Sequence, residues 1–299
     1  MRFLLAGSSG FLGTRLGEGL RARGHDVSSL VRRPPAAAGE IRWDPYAAGL
    51  GTEVVDHHDV VVNLAGSPTA GNVHSKKWGE NLMDSRVTTT RVLAEAIAGS
   101  ASKPAFLAGN GISFYGDHGS EPLSEEADSR GDALLTRVAR AWQQATEPAQ
   151  RAGARVCILR TSPVYDRRSQ PLRALRLLFR AGLGGPLGDG QQYVPMISTR
   201  DWVDAVIHLA ESETAQGAFN LCCEEAPTNA EFTRELAHQV GRPAFFRVPS
   251  VVLRPAAGEM SNELLGSMNV VPAALAASGF KHQDPDVRAV LREGLDPSR

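Results

Sequence analysis

No block of lysine or arginine long enough to form a nucleic-acid arm occurs in this 299-residue chain, whose 32 basic and 33 acidic side chains give a formal net charge of -1. Lacking a global positive field, it is not expected to bind nucleic acid. Cysteine is scarce. Cys157 lies in an expected strand and Cys222 and Cys223 are neighbours, an odd number without metal-ligand spacing, so buried reduced thiols are expected and no metal. No apolar stretch approaches the length of a membrane span. The amino terminus runs straight into a strand without the sections of a signal peptide, so a cytoplasmic protein with no membrane partner is expected. What remains, 42% hydrophobic and 22% charged residues, is an ordinary globular composition able to bury a full core.

The chain organises around its first turn. An apolar run, Arg2-Phe3-Leu4-Leu5-Ala6, meets Gly7-Ser8-Ser9-Gly10-Phe11-Leu12-Gly13, and a helical pattern follows with Leu12, Leu16 and Leu20 on one face. Strand, GxxGxxG turn and helix in this order suit a diphosphate: glycines turn the chain tightly and bring N–H groups close, while the positive helix end faces the anion. Gly7, Ser9, Gly10, Phe11, Leu12 and Gly13 are the first candidate cofactor contacts. A second strand, residues 26 to 31, ends in Arg32-Arg33. An acid there would bind a ribose 2′-OH, whereas arginine grips a 2′-phosphate, so the cofactor expected is NADP(H), with Arg32 and Arg33 as contacts.

The β-branched run at residues 59 to 64 reads as a strand buried on both faces, and its small-residue end, Leu64-Ala65-Gly66, would let a cofactor lie across it. A long helix over residues 75 to 98, a strand over 104 to 109, a helix over 132 to 151 and a strand over 155 to 160 continue the alternation. It argues for a doubly wound parallel sheet, a Rossmann-like α/β fold, with helices on both faces. Beyond Pro163 the alternation loosens: a basic helix near 173 to 181, the glycine-rich segment 182 to 190 expected to cover the mouth of the sheet, a helix at 201 to 210, a short strand at 218 to 221, a helix at 229 to 240 and a proline-punctuated tail of short helices. The expected division is a cofactor domain over residues 1–165, to which the strand near 217–221 returns, interleaved with a smaller α/β substrate domain over 166–299.

The GSSGFLG turn, the VVVNLAG strand and FYG at Phe114 to Gly116 resemble the extended short-chain dehydrogenases/reductases. WGENLMDSR, ILRTSPV, GLGGPLGDGQQY, GAFNL and ASGF resemble one atypical branch of them, usually labelled epimerase-like or cell-division-inhibitor-like. The resemblance runs nearly end to end. It implies a Rossmann domain with a smaller carboxyl-terminal substrate domain and NADP(H) across the strand ends, with Pro163 and Val164 contacting the cofactor where a strand end faces the nicotinamide.

The catalytic half departs from that family. Its usual tyrosine needs a lysine four residues later, because a phenol near pKa 10 is a poor acid-base group until a cation stabilises its phenolate. The four tyrosines here, Tyr46, Tyr115, Tyr165 and Tyr193, are followed at that spacing by Leu50, Gly119, Ser169 and Ile197. By offset from Trp142, Leu135 and Ala139 stand where the family's tyrosine and lysine belong. Asn110, Ser113, Tyr115 and Tyr165 are the candidate catalytic residues, the first two as donors polarising a substrate. The function expected is an NADPH-dependent oxidoreductase reducing a small carbonyl, enone or imine compound, an enzyme whose partner is that small molecule and which is compatible with a homodimer. The alternative is a non-catalytic NADP(H)-binding or regulatory protein. A sugar-nucleotide epimerase is disfavoured, since transient oxidation of a sugar needs the absent base.

Overall fold

The computed structural model describes residues 1–47 and 49–296. Its first half alternates as the hydrophobic pattern dictates. The elements are β1 (Arg2–Ala6), α1 (Phe11–Ala22), β2 (Asp26–Val31), β3 (Glu40–Arg42), α2 (Thr52–Asp56), β4 (Val60–Asn63), α3 (Lys76–Gly99) and β5 (Ala105–Gly111). A 3-10 turn (Ile112–Phe114), β6 (Pro122–Leu123), α4 (Leu134–Gln144), α5 (Glu147–Arg151) and β7 (Val156–Thr161) follow. The second half adds β8 (Val164–Tyr165), α6 (Gln170–Arg180), β9 (Ile197–Ser198), α7 (Thr199–Glu211), β10 (Gly217–Leu221) and α8 (Asn229–Val240). Last come α9 (Ser250–Ala257), α10 (Ser261–Leu265), β11 (Asn269–Val270), α11 (Ala273–Ala277) and α12 (Val287–Leu295).

Seven strands form one sheet in the order β10-β7-β5-β4-β1-β2-β3, every pair parallel. Side chains alternate across it. Phe3 and Leu5 of β1 and Val60 and Val62 of β4 pack with Leu16 and Leu20 of α1 and Trp202 and Val206 of α7. Leu4, Ala6 and Val61 face the other way, onto Leu93 and Ile97 of α3 and Ala149 of α5. Two helical layers therefore cover both faces, which is why runs such as Phe3 to Ala6 and Val60 to Val62 are apolar at consecutive positions. β10, late in sequence, pairs with β7 from Gly217 opposite Cys157 to Leu221 opposite Thr161.

The helix expected over 132 to 151 is shorter and broken. It starts at Leu134 and stops at Gln144, and α5 restarts with Pro148 in its first turn. Proline has no N–H for the carbonyl four residues back, so the chain cannot run through as one helix. The glycine-rich segment is fastened rather than loose: Leu187 N–H donates to Asn229 Oδ1 at 2.8 Å, Gly188 N–H to Val248 O at 2.9 Å and Ala230 N–H to Gly190 O at 2.9 Å. It is anchored to the start of α8. Among the described residues no helix is long and apolar enough to cross a membrane.

Candidate functional site

The carboxyl edge of the sheet gathers the turn after β1, the ends of β2 and β4, and the segment after β5. Gly7 has φ +84, and a Cβ there would fall 2.6 Å from the Leu64 carbonyl carbon and 2.7 Å from Ala65 N. Only glycine allows that approach. A Cβ on Gly13 would lie 2.1 Å from Gly7 O, so the third glycine serves the packing of helix on turn. Gly10 differs, being exposed, with only Gly7 O at 3.3 Å in the way of a Cβ. It caps α1 without a side-chain acceptor, and the N–H groups of Phe11 and Leu12 find no acceptor among the described residues. Bare donors at the positive end of a 12-residue helix, beside the exposed Ser9, are a cradle that fits a diphosphate.

The end of β4 is held from beneath. Fully buried Asn63 accepts the Ala65 N–H on Oδ1 at 3.0 Å and donates through Nδ2 to Thr90 Oγ1 at 2.8 Å, a hydroxyl that also receives Trp142 Nε1–H at 2.8 Å. Leu64 and Ala65 are half-buried and Gly66 is exposed, leaving a fixed small-residue edge. Against it stands a residue that sequence reasoning missed. Arg86 lies with its Cγ 3.2 Å from where a Gly66 Cβ would sit and its guanidinium 5.2 Å from the Trp142 ring centre. Its hydrogen bond goes to Leu82 O at 3.3 Å, no carboxylate of a described residue pairs with it, and burial pulls its pKa down to about 10. Its only sequence signal was its place in WGENLMDSR.

The two arginines after β2 part company. Arg33 grips Glu40 of β3 through two bonds of 2.5 and 2.8 Å, and with the Ala36 N–H it holds that carboxylate's pKa down at about 2. Arg32 is exposed and forms no ion pair with a described residue. A free fork at the end of β2 suits an incoming phosphate; an occupied one does not.

The expected catalytic residues are scattered in role. Asn110 is buried, donating to Ala139 O at 3.0 Å and accepting the Gly111 N–H at 2.7 Å, so its amide ties α4 to β5 instead of facing a ligand. Tyr115 is wholly buried: its hydroxyl donates to Asn220 Oδ1 at 2.6 Å and accepts from Arg160 Nη1 at 2.8 Å. Burial raises its pKa despite Arg160, so it stays a phenol at neutral pH. Tyr165 packs among Leu172, Phe179 and Phe232 under the second half of the chain, and burial alone drives its pKa far up. Pro163 is exposed at the end of β7, whereas the Val164 side chain turns into the core. Leu135 and Ala139 of α4 carry no proton to give.

Ser113 opens on a cavity, about 190 Å³, that it shares with Asp117, Arg130, Asp132, Thr136 and Glu263. A larger hollow of about 750 Å³ lies elsewhere, between α3, the start of α4 and the Gly258–Glu259 turn, away from the phosphate turn. The smaller cavity starts at Ser113, in the 3-10 turn that follows β5.

A parallel sheet in this order, with a glycine turn and a bare helix start at its carboxyl edge, defines a dinucleotide-binding protein of the Rossmann type. More narrowly, the chain belongs to the NAD dependent epimerase/dehydratase family, matched over residues 3–222, as an atypical extended short-chain dehydrogenase/reductase of epimerase-like kind. Residues 248–293 match a domain of unknown function, DUF1731. The chain is 37% identical over 278 residues to the epimerase family protein ML0860 of Mycobacterium leprae, covering 93% of this chain and 90% of that one. It is 32% identical to the human epimerase family protein SDR39U1, covering 98% and 99%. A crystal structure of that human protein (isoform 2) with NADPH superposes with a TM-score of 0.87 at 30% identity, covering 98% of this chain and 99% of that one. A nucleoside-diphosphate sugar epimerase from Corynebacterium glutamicum has a TM-score of 0.82 at 31% identity over 99% of this chain and 58% of that one.

Proposed function

We propose that this protein is an NADP(H)-dependent oxidoreductase that reduces a small carbonyl, enone or imine compound without a tyrosine-lysine pair. The observation that carries the reading is Arg32 at the end of β2, without an ion-pair partner among the described residues, together with the bare donors of Phe11 and Leu12 and the open face of Gly10. Those groups would hold a 2′-phosphate and a diphosphate respectively. The NADPH bound by the human relative supports the choice of cofactor. When bound, the nicotinamide supplies the hydride. The protein binds and orients it across Leu64, Ala65 and Gly66, with Pro163 at the neighbouring strand end, and residues 1–165 with the β10 strand act as the cofactor domain. Residues 166–299 close the substrate side, in the cytoplasm.

A second reading, a non-catalytic NADP(H)-binding protein, is favoured by one observation: Leu135 and Ala139 are inert where the family's acid-base pair belongs. The same substitution argues against sugar-nucleotide epimerisation, despite the name of the Corynebacterium relative. Cofactor-stripped protein titrated with NADPH and NADH, then mixed with a panel of aldehydes, ketones, enones and imines and followed at the cofactor's absorbance, separates these readings. NADPH binding with turnover of one class is expected. Absence of NADPH binding sinks both readings, and binding without turnover across the panel favours the second.

A further inference from the structure

Ser113 does not stand alone in its cavity. It follows β5 in the 3-10 turn, and its hydroxyl donates to Glu263 Oε2 at 2.8 Å, a carboxyl delivered by α10 from 150 residues away. Glu263 lines the 190 Å³ cavity together with Ala133 and Thr136 from the start of α4, whereas Leu135 packs against Leu82 and Val138.

Among the described residues lining the cavity, no cation is left to hold Glu263 as a carboxylate. Arg130 is engaged by Asp128 and Glu121, each at 3.1 Å. Asp132 is paired with Arg137 at 3.3 Å, and Asp117 accepts the Gly119 and Ser267 N–H groups at 3.0 and 3.2 Å. The remaining walls are glycine, alanine, methionine, asparagine and threonine. Burial therefore pushes the Glu263 carboxyl above the usual range, against the single opposing pull of the Ser113 hydroxyl.

We propose that Glu263, positioned by Ser113, is the proton donor of this pocket, taking the place of the missing tyrosine. The inference rests on the reductase reading above and names its acid. As the carbon of a C=O or C=N bond accepts a hydride and its electron pair from the dihydronicotinamide, the π pair moves onto the oxygen or nitrogen. There a new O–H or N–H bond forms while the carboxyl O–H of Glu263 breaks, and the carboxylate then recovers a proton from water. A carboxylic acid whose pKa is raised by burial is suited to this task, since it gives its proton as the heteroatom gains charge.

The test reads proton donation without requiring a substrate. Diazoacetamide esterifies a carboxyl only after taking its proton: the diazo carbon is protonated, the carboxylate attacks it and dinitrogen leaves. Full-length protein is treated at pH 7, and the esterified peptides are quantified by mass spectrometry. Glu263 is expected to react at least about tenfold faster than the exposed Glu80 and Glu126, as for a carboxyl that keeps its proton where theirs are lost. Ser113→Ala, which removes the donor that favours the ionised form, is expected to move the pH at which Glu263 labelling halves upward. Glu263→Gln loses that label and keeps NADPH affinity within about twofold. Labelling of Glu263 no faster than the surface glutamates, or no shift in Ser113→Ala, overturns the proposal. A parallel NADPH titration keeps the two ideas apart: failure to bind NADPH removes the reductase reading, whereas slow labelling in a protein that binds NADPH removes the Glu263 assignment alone.

Discussion

Arg160 of β7 reaches across to Tyr115, donating to its hydroxyl at 2.8 Å, while its guanidinium stacks 3.7 Å from the Phe114 ring centre. The same guanidinium bonds Gln143 Oε1 and Glu125 O, and the tyrosine hydroxyl passes on to Asn220 of β10 at 2.6 Å. Arg160 and Asn220 face each other in the β7–β10 register, so the phenol locks the segment after β5 onto the last strand of the sheet.

Tyr115→Phe is therefore expected to act on stability. Removing the hydroxyl leaves buried Arg160 and Asn220 each short of a partner, a cost of about 1–3 kcal/mol, read as a lower urea midpoint at unchanged slope. NADPH affinity of the folded variant is expected to stay within about twofold. Tyr165→Phe, whose hydroxyl bonds to no described residue, is expected to shift the midpoint by less than about 0.5 kcal/mol. A hundredfold loss of turnover in either variant at full cofactor occupancy would return the chemistry to a tyrosine.

The glycines of the first turn predict opposite failures. Gly10→Val has room within the fold but intrudes on the cradle, so cofactor binding is expected to vanish while the melting transition survives. Gly13→Ala drives a methyl into Gly7 O, with an expected loss of at least about 1–3 kcal/mol as for overpacked cores. Calorimetry and a fluorescence titration on both variants check the contrast. Cofactor binding by a folded Gly10→Val protein would remove the cradle.

Of the two arginines, the free one is expected to select the cofactor. Arg32→Asp should weaken NADPH at least about tenfold, the loss of one charge-assisted hydrogen bond, and spare NADH. Arg33→Ala frees Glu40 rather than a phosphate site and should lower NADPH affinity less than Arg32→Asp. Equal titration curves for NADPH and NADH in the unmodified protein would contradict the assignment.

The thiols give a pH prediction. Cys157 and Cys223 are buried, with pKa values pushed up by desolvation to about 11 and about 12. The folded state keeps protons that an unfolded chain, titrating near pKa 8.5, gives up. Above that pH the native state binds more protons, so their contribution to stability falls as pH rises from about 8.5 toward 11. Alkylation by iodoacetamide at pH 8 is expected only on unfolding; rapid native labelling of Cys157 or Cys223 would show that they are accessible.

The sequence by itself determined the framework. Short continuous apolar runs such as Phe3 to Ala6 and the β-branched Val60 to Val62 read as strands buried on both faces, and GxxGxxG between strand and helix needs no distant contact to form. Those are local properties, carried by periodicity and by glycine's freedom of backbone angle. Tertiary structure decided which side chains were left free. Arg32 and Arg33 are neighbours of one kind, yet only Arg33 meets Glu40 once β3 is laid beside β2. Asn110 and Tyr115 carry the polar groups of a site, yet Ala139, Arg160 and Asn220 consume them. Ser113 gained its partner from a helix 150 residues on, across a cavity that no pattern in the chain foreshadows. A side chain's chemistry is set by what packs against it, and those neighbours come from parts of the chain that a local pattern does not join.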